Sequence, residues 1–264
     1  MLFEKEAIGG LLRNANWVEN YPGFPNGISG LKLTRLMAQQ LKTVGVEGFF
    51  EEVLELDYAK EVFTLETPKQ RVVLRHVIVA TGTESNPIES PVVPPAARPR
   101  VFHEIHSLLR ERGKRVFIVG AGDAAFDYAL NLAKANEITL INRGNAVKSL
   151  PLLVERAKAS PRICYRPNTA ITRITLREGG NDLSLECLSP AGPVVFIADY
   201  LIFAIGRHPK LDFLSERLLK CKSRLEESGQ LFFIGDVKNG LFRQTAIAVG
   251  DGMRAAMELY KEYL

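Results

Sequence analysis

The stretch VFIVGAGDAAFDYAL, Val116 to Leu130, constrains the fold of this chain more than any other. A short β-branched run leads into a small-residue turn, and the turn opens a segment whose apolar residues recur at helical spacing. Gly120, Gly122 and Ala125 stand in GxGxxA order, with Asp123 at the head of the helix. In such a turn the first glycine permits the tight reversal and the second lets backbone approach a pyrophosphate. The third small residue allows close packing, and free amides at the helix N-terminus face the anion. A second strand candidate, EITLINR, follows. Residues 115 to 143 therefore read as strand, turn, helix, strand, a dinucleotide-binding α/β unit.

The second strand of that unit ends at Asn142, where an acid would grip the ribose 2′-hydroxyl of NAD, and the cations Arg143 and Lys148 follow. A 2′-phosphate suits cations. NADP(H) is the expected nucleotide, with NAD the alternative.

Two breaks divide the rest. PIESPVVPPAARPR, Pro87 to Arg100, holds five prolines in fourteen residues, which fix φ and remove donors, so it reads as a linker and neither as a central strand nor as a helix. GRHPK, Gly206 to Lys210, follows the apolar strand candidate YLIFAIG. The expected organisation is a nucleotide module, residues 98–210, inserted into an outer module made of residues 1–97 and 211–264. In the outer module GLKLTRLMAQQLKTVG reads as an amphipathic helix, EVFTLET and RVVLRHVIVATG as strands, and TAIAVGDGMRAAMELYKEYL as a closing helix. The fold class is α/β, with two Rossmann-like modules.

Composition excludes several functions. The net charge of +4 is spread without a Lys/Arg block, so neither nucleic acid nor a membrane surface is an expected partner. No run of about 18 apolar residues exists and the N-terminus lacks the order of a signal peptide, so a cytoplasmic protein is expected. Cys164, Cys187 and Cys221 lie far apart in no CxxC or metal-ligand spacing, and are expected to be buried small hydrophobes.

Seven runs in order, GGLL near the start, VENYPGFPNGISG, VIVATG, RGKRVFIVGAGDAAFDYAL, INRGNAVK, LIFAIGRHPKLDFL and FFIGDVKNGLFRQTAIAVGDGMRAA, resemble the low-molecular-weight thioredoxin reductase family of flavoproteins across nearly the whole chain. The resemblance implies FAD in the outer module, with the nicotinamide nucleotide in the inner one. It implies that Glu4 holds the adenosine ribose, that Gly9 and Gly10 run along the cofactor, and that Asn20 makes a polar contact near the flavin. It further implies that Thr81 and Gly82 of VIVATG, and Gly206 and Arg207 of LIFAIGR, line the cofactors. It implies that Gly235 and Asp236 meet the ribityl chain, and that Arg243, Gln244 and Thr245 lie beside the isoalloxazine ring, where a helix N-terminus favours negative charge. A homodimer is the implied assembly.

Two departures from the family matter. Its CxxC positions fall on His103 and His106, and imidazole cannot perform thiol–disulfide exchange, so a thiol relay at that place is excluded. HxxH could place two nitrogens on one side of a helical turn beside Glu104, but no partner cluster accompanies them and no metal site is expected. The family also carries a strand, a GxGxxG turn and a helix ahead of the segment that opens this sequence, and Gly144 stands where a second arginine is usual. The FAD site is then in question. Three explanations stay open: a shortened reductase, a natural variant keeping only the nicotinamide site, or a sheet completed by another subunit. An unfilled central strand position would leave unpaired backbone and apolar side chains exposed. The function expected is an NAD(P)H-dependent flavin oxidoreductase passing hydride to FAD and on to an acceptor other than thioredoxin: a ferredoxin, a small protein or a quinone-like molecule. The alternative is a flavin-free NADP(H)-binding regulatory or structural protein.

Overall fold

A computed structural model describes residues 1–177 and 179–261. By contacts the chain forms two units: one of residues 1–12, 18–84 and 207–264, the other of residues 13–17 and 85–206.

The first unit opens with β1 (Leu2–Phe3), followed by α1 (Gly30–Thr43) and β2 (Gly48–Phe49), which pairs in parallel with β1. Ser29 caps α1 by accepting a hydrogen bond from the Lys32 amide. An antiparallel meander follows, of β3 (Glu55–Ala59), β4 (Val62–Glu66) and β5 (Arg71–Leu74), then β6 (Val77–Val79) and β7 (Thr83–Ser85). RVVLRHVIVATG is thus two strands in two sheets. The first half joins the meander, while the second pairs in parallel with a strand near the C-terminus.

The second unit holds β8 (Val101–Phe102), β9 (Arg115–Val119), α2 (Asp123–Leu132), β10 (Glu137–Ile141), α3 (Pro151–Ala159) and β11 (Ile163–Arg166). It continues with the meander β12 (Ala170–Leu176), β13 (Leu183–Ser189) and β14 (Gly192–Ala198), and then β15 (Tyr200–Phe203). Its main sheet is wholly parallel in the order β11-β10-β9-β15-β8, with the glycine-bearing strand β9 at the centre. β11-β10-β9-β15 is the 3-2-1-4 part of the Rossmann order, and β8, which precedes β9 in the chain, is added at the edge. β9 and β10 are apolar on both faces because both are covered. Ala125, Phe126, Ala129 and Leu132 of α2 pack on one side with Ile118, Ile138, Leu140 and Ile202. The meander seals the other side with Ile174, Leu183, Leu185 and Cys187 against Phe117, Ile141, Leu201 and Phe203. The proline-rich segment is no loose linker. It makes a 3-10 turn at Pro95–Arg100 whose Ala97 is fully buried, with Ile88 and Val93 packed beside it.

The chain returns to the first unit through β16 (Arg207–Pro209), which pairs with β7, then α4 (Glu216–Glu227), β17 (Leu231–Phe233) and α5 (Thr245–Lys261). Leu218 and Leu225 of α4 pack with Leu56, Phe63, Leu65, Val79 and Leu231 as the core of this unit. Its parallel strands form two separate pairs, β1 with β2 and β6 with β17, so no continuous parallel sheet forms among the described residues of this unit. α5 turns Ala255 inward and leaves Val249, Met253 and Met257 exposed. Among the described residues no helix is long and apolar enough to cross a membrane.

Candidate functional site

In the second unit the turn after β9 is built as its sequence requires. Gly120 sits at φ +143°, and a Cβ there would lie 2.4 Å from the Ala204 carbonyl oxygen and 3.4 Å from Ala125 Cβ, so neither a side chain nor a larger neighbour fits. Gly122 is the N-cap of α2 and has extended backbone with no side-chain cap, leaving the amides of Asp123 and Ala124 without an intrahelical acceptor, while the Ala125 amide donates to Gly122 O at 3.1 Å. The nearest atom to a Cβ on Gly122 is the Lys148 carbonyl oxygen at 3.8 Å. The connection after β10 folds back over this turn: the Lys148 amide donates to Ala121 O at 2.8 Å, and the Leu150 amide to Asp123 Oδ1 at 2.7 Å. Gly120, Gly122, Asp123 and Ala125 are thereby brought beside the loop that carries Arg143 and Lys148, whose side chains are exposed. A tight turn, uncapped amides and two free cations suit the diphosphate and a further phosphate of a dinucleotide. Asp123 serves as an acceptor for the connection after β10.

In the first unit Glu4 follows β1, its amide donating to Phe49 O at 3.0 Å and its carboxylate accepting the Glu6 amide at 2.9 Å. Gly9 (φ +108°) lies against α1, where a Cβ on it would strike the buried Thr34, whereas a Cβ on Gly10 would meet open space. Asn20 donates through Nδ2 to Gln244 Oε1 at 2.6 Å, just ahead of α5, whose first residue is Thr245. Arg243 donates to Gly240 O at 2.6 Å and Arg207 O at 3.1 Å, and Arg207 in turn grips Thr83 through Oγ1 at 3.0 Å and the carbonyl at 2.7 Å. Burial raises the Asp236 carboxyl above its ordinary range, opposed by the charges of Arg243 and Arg207. The Gly235 amide is held by Asp251 at 3.0 Å. Thr81 and Gly82 both meet Lys210, through Thr81 Oγ1 to Lys210 O at 2.7 Å and the Lys210 amide to Gly82 O at 3.2 Å. Gly206 belongs to the second unit, with Asn86 beside it.

The first unit thus brings Asn20 to Gln244 and links Arg243 through Arg207 to Thr83. Among the described residues it holds no strand–glycine turn–helix to match β9, Gly120 and α2. Thr83, Lys210 and Asp251 escaped the sequence reading, because their partners lie far away in the chain or are backbone atoms.

His103 and His106 do not share a helical turn. His103 follows β8, with its ring 6.4 Å from that of Phe203, whereas His106 begins a 3-10 turn at His106–Leu108. The cysteines are all free. Cys187 is buried, and burial pushes its thiol up to about 11. Cys164, by contrast, is exposed, since it points outward from β11 at the edge of the sheet.

A polar cluster unseen in the sequence holds residues 13–17 on α2. Asp127 accepts the Asn16 amide at 2.9 Å, Asn131 donates to Asn14 O at 3.1 Å, and Lys134 reaches Asn16 Oδ1 at 2.5 Å. Burial pushes Asp127 up to about 6, with Asp123 adding to the rise and the Asn16 amide and Lys134 opposing it. A carboxyl raised in the folded state contributes stability that is full below about pH 3.8 and is lost as pH rises through about 6. Asp127→Asn is therefore expected to stabilise the chain by about 1–2 kcal/mol at pH 7. Urea unfolding should show that gain shrinking towards zero near pH 4, and a gain independent of pH would contradict the assignment.

The comparisons with known proteins agree with this architecture. A family model described as pyridine nucleotide-disulphide oxidoreductase matches residues 36–231. The chain is 24% identical over 273 residues to a thioredoxin reductase of Chlamydia pneumoniae, covering 95% of this chain and 85% of the relative. It is 28% identical over 301 residues to a thioredoxin reductase of Penicillium chrysogenum, covering 99% and 85%. Its fold is similar to the crystal structure of Lactococcus lactis thioredoxin reductase, with a TM-score of 0.82 at 23% identity, covering 98% of this chain and 89% of that one. A parallel sheet centred on a glycine turn, and a family model spanning most of both units, lead to one assignment: the chain belongs to the pyridine nucleotide-disulphide oxidoreductase family and is thioredoxin reductase-like.

Proposed function

We propose that this chain is an NADP(H)-dependent flavin oxidoreductase that takes hydride from the nicotinamide and delivers electrons to an acceptor other than thioredoxin. The observation that carries the proposal is the open Gly122 turn beneath a loop bearing Arg143 and Lys148. The turn amides would hold the pyrophosphate, Arg143 and Lys148 the 2′-phosphate, and Gly120 and Ala125 the backbone that sets both. In the first unit Glu4, Gly9, Gly10, Asn20, Thr81, Gly82, Gly235, Asp236, Arg243, Gln244 and Thr245 would meet FAD, with Arg207 holding Thr83 in place behind them. FAD, when bound, supplies the two-electron relay between nicotinamide and acceptor. The protein's part is to bind, orient and exclude water. No side chain is needed as acid or base, and the distant free cysteines offer no dithiol pair. The acceptor class proposed is a ferredoxin, another small redox protein or a quinone-like molecule. A homodimer is the proposed assembly, for which the exposed Val249, Met253 and Met257 offer an apolar stripe.

A second reading, a flavin-free NADP(H)-binding protein, is favoured by the division of the parallel strands of the first unit into two separate pairs. Cofactor release by heat, followed by chromatography, separates the two. FAD near one per chain supports the oxidoreductase, and colourless protein that still binds NADP⁺ supports the second reading. For the nucleotide itself, Arg143→Ala is expected to weaken NADP⁺ about 10-fold and NAD⁺ less than twofold in calorimetric titration. Equal losses would remove the phosphate role of Arg143.

A further inference from the structure

Asn142 stands where an acid would hold the 2′-hydroxyl of NAD, yet its carboxamide is committed elsewhere. Its Oδ1 accepts the Gly144 amide at 3.2 Å, while Nδ2 donates to Ala146 O at 3.0 Å and to the Tyr165 hydroxyl at 2.9 Å. The backbone is engaged as well: the Asn142 amide donates to Arg166 O at 3.0 Å, and Asn142 O accepts the Thr169 amide at 2.9 Å. The Asn168 amide closes on Gly144 O at 3.0 Å, from a residue at φ +49° that asparagine tolerates. The carbonyl oxygen and one amide hydrogen of this side chain thus close the start of the 143–148 loop, and the other amide hydrogen ties it to Tyr165. The anchor beyond it is rigid, since Tyr165 lies on β11 with its ring 5.8 Å from that of Phe126 on α2. The far end of the loop is pinned to the glycine turn by the Lys148 and Leu150 amides.

We propose that Asn142 and Tyr165 are positioning residues for nucleotide choice: Asn142 shapes the loop that presents Arg143 and Lys148, and the Tyr165 hydroxyl holds Asn142. The inference rests on the reading of that loop as the 2′-phosphate site. Two exposed cations on a loose loop would lose backbone and rotamer freedom on clamping a phosphate, and a loop fastened at both ends has already lost much of it. A neutral carboxamide also spares the phosphate the repulsion that an acid would impose. NAD, having no 2′-phosphate, gains nothing from the arrangement.

Tyr165→Phe removes one oxygen and leaves the ring packing in place. Titration of the purified chain with NADP⁺ and NAD⁺ should show NADP⁺ weakened about 5–10-fold and NAD⁺ unchanged within about twofold. Hydrogen exchange at the Gly144 amide should be faster by about fivefold or more, with the amides of β10 unaltered. A variant that keeps its preference for NADP⁺, loses both nucleotides equally, or leaves Gly144 exchange unchanged would overturn the proposal alone. A native chain with no preference for NADP⁺ would instead overturn the reading beneath it, and the proposal with it.

Discussion

Gly122→Val is expected to abolish nicotinamide nucleotide binding while leaving the chain folded. The backbone at Gly122 is extended, a conformation valine adopts, and a Cβ there meets nothing closer than the Lys148 carbonyl oxygen at 3.8 Å. The loss of a favourable helix cap costs about 1 kcal/mol, which a folded domain of this size tolerates. The added branches would occupy the space in which a pyrophosphate approaches the first amides of α2. NADP⁺ affinity should fall at least ~100-fold, about 3 kcal/mol, with an unchanged circular dichroism spectrum. An unaltered dissociation constant would refute the pyrophosphate assignment.

Gly120→Ala should have the opposite character. Here a single methyl lies 2.4 Å from backbone, the Ala204 carbonyl oxygen on the strand-end beside it, and φ is +143°. Neither the clash nor the backbone strain can be relieved by rotating a side chain. The expected loss is about 3–5 kcal/mol of stability, seen as a lowered urea midpoint or as failure to accumulate soluble protein. A variant as stable as the native chain would mean that the central strand can shift at this turn. The two substitutions, two residues apart in one turn, thus separate the glycine that builds the site from the one that leaves it open.

What could be read in the sequence follows from where the physical signal is local. β9, the Gly120 turn, α2 and β10 are consecutive, and their periodicity and glycine spacing encode the fold without help from distant residues. α1 and α5 were legible for the same reason. The meander from Ala170 to Ala198 was not read, although Leu183, Leu185 and Cys187 alternate with outward residues as an amphipathic strand should. The run RVVLRHVIVATG misled because apolar continuity carries no mark of a change of sheet, and only the pairing of Val77–Val79 with Leu231–Phe233 reveals it. The prolines of residues 87–100 did exclude a regular strand or α-helix, but they gave no sign that Ala97 would be fully buried. At the site, Arg143 and Lys148 stand out as cations after a strand. Tyr165, 23 positions beyond Asn142, and Asp127, 111 positions beyond Asn16, are joined to their partners only by folding.

The proposed hydride transfer is tested most directly by an anaerobic visible spectrum of the purified chain before and after addition of NADPH. An NADP(H)-dependent flavin oxidoreductase should show a flavin spectrum near one FAD per chain that bleaches on addition of NADPH, and more slowly with NADH at the same concentration. A chain without flavin, or a bound flavin that stays oxidised in the presence of NADPH, would contradict it.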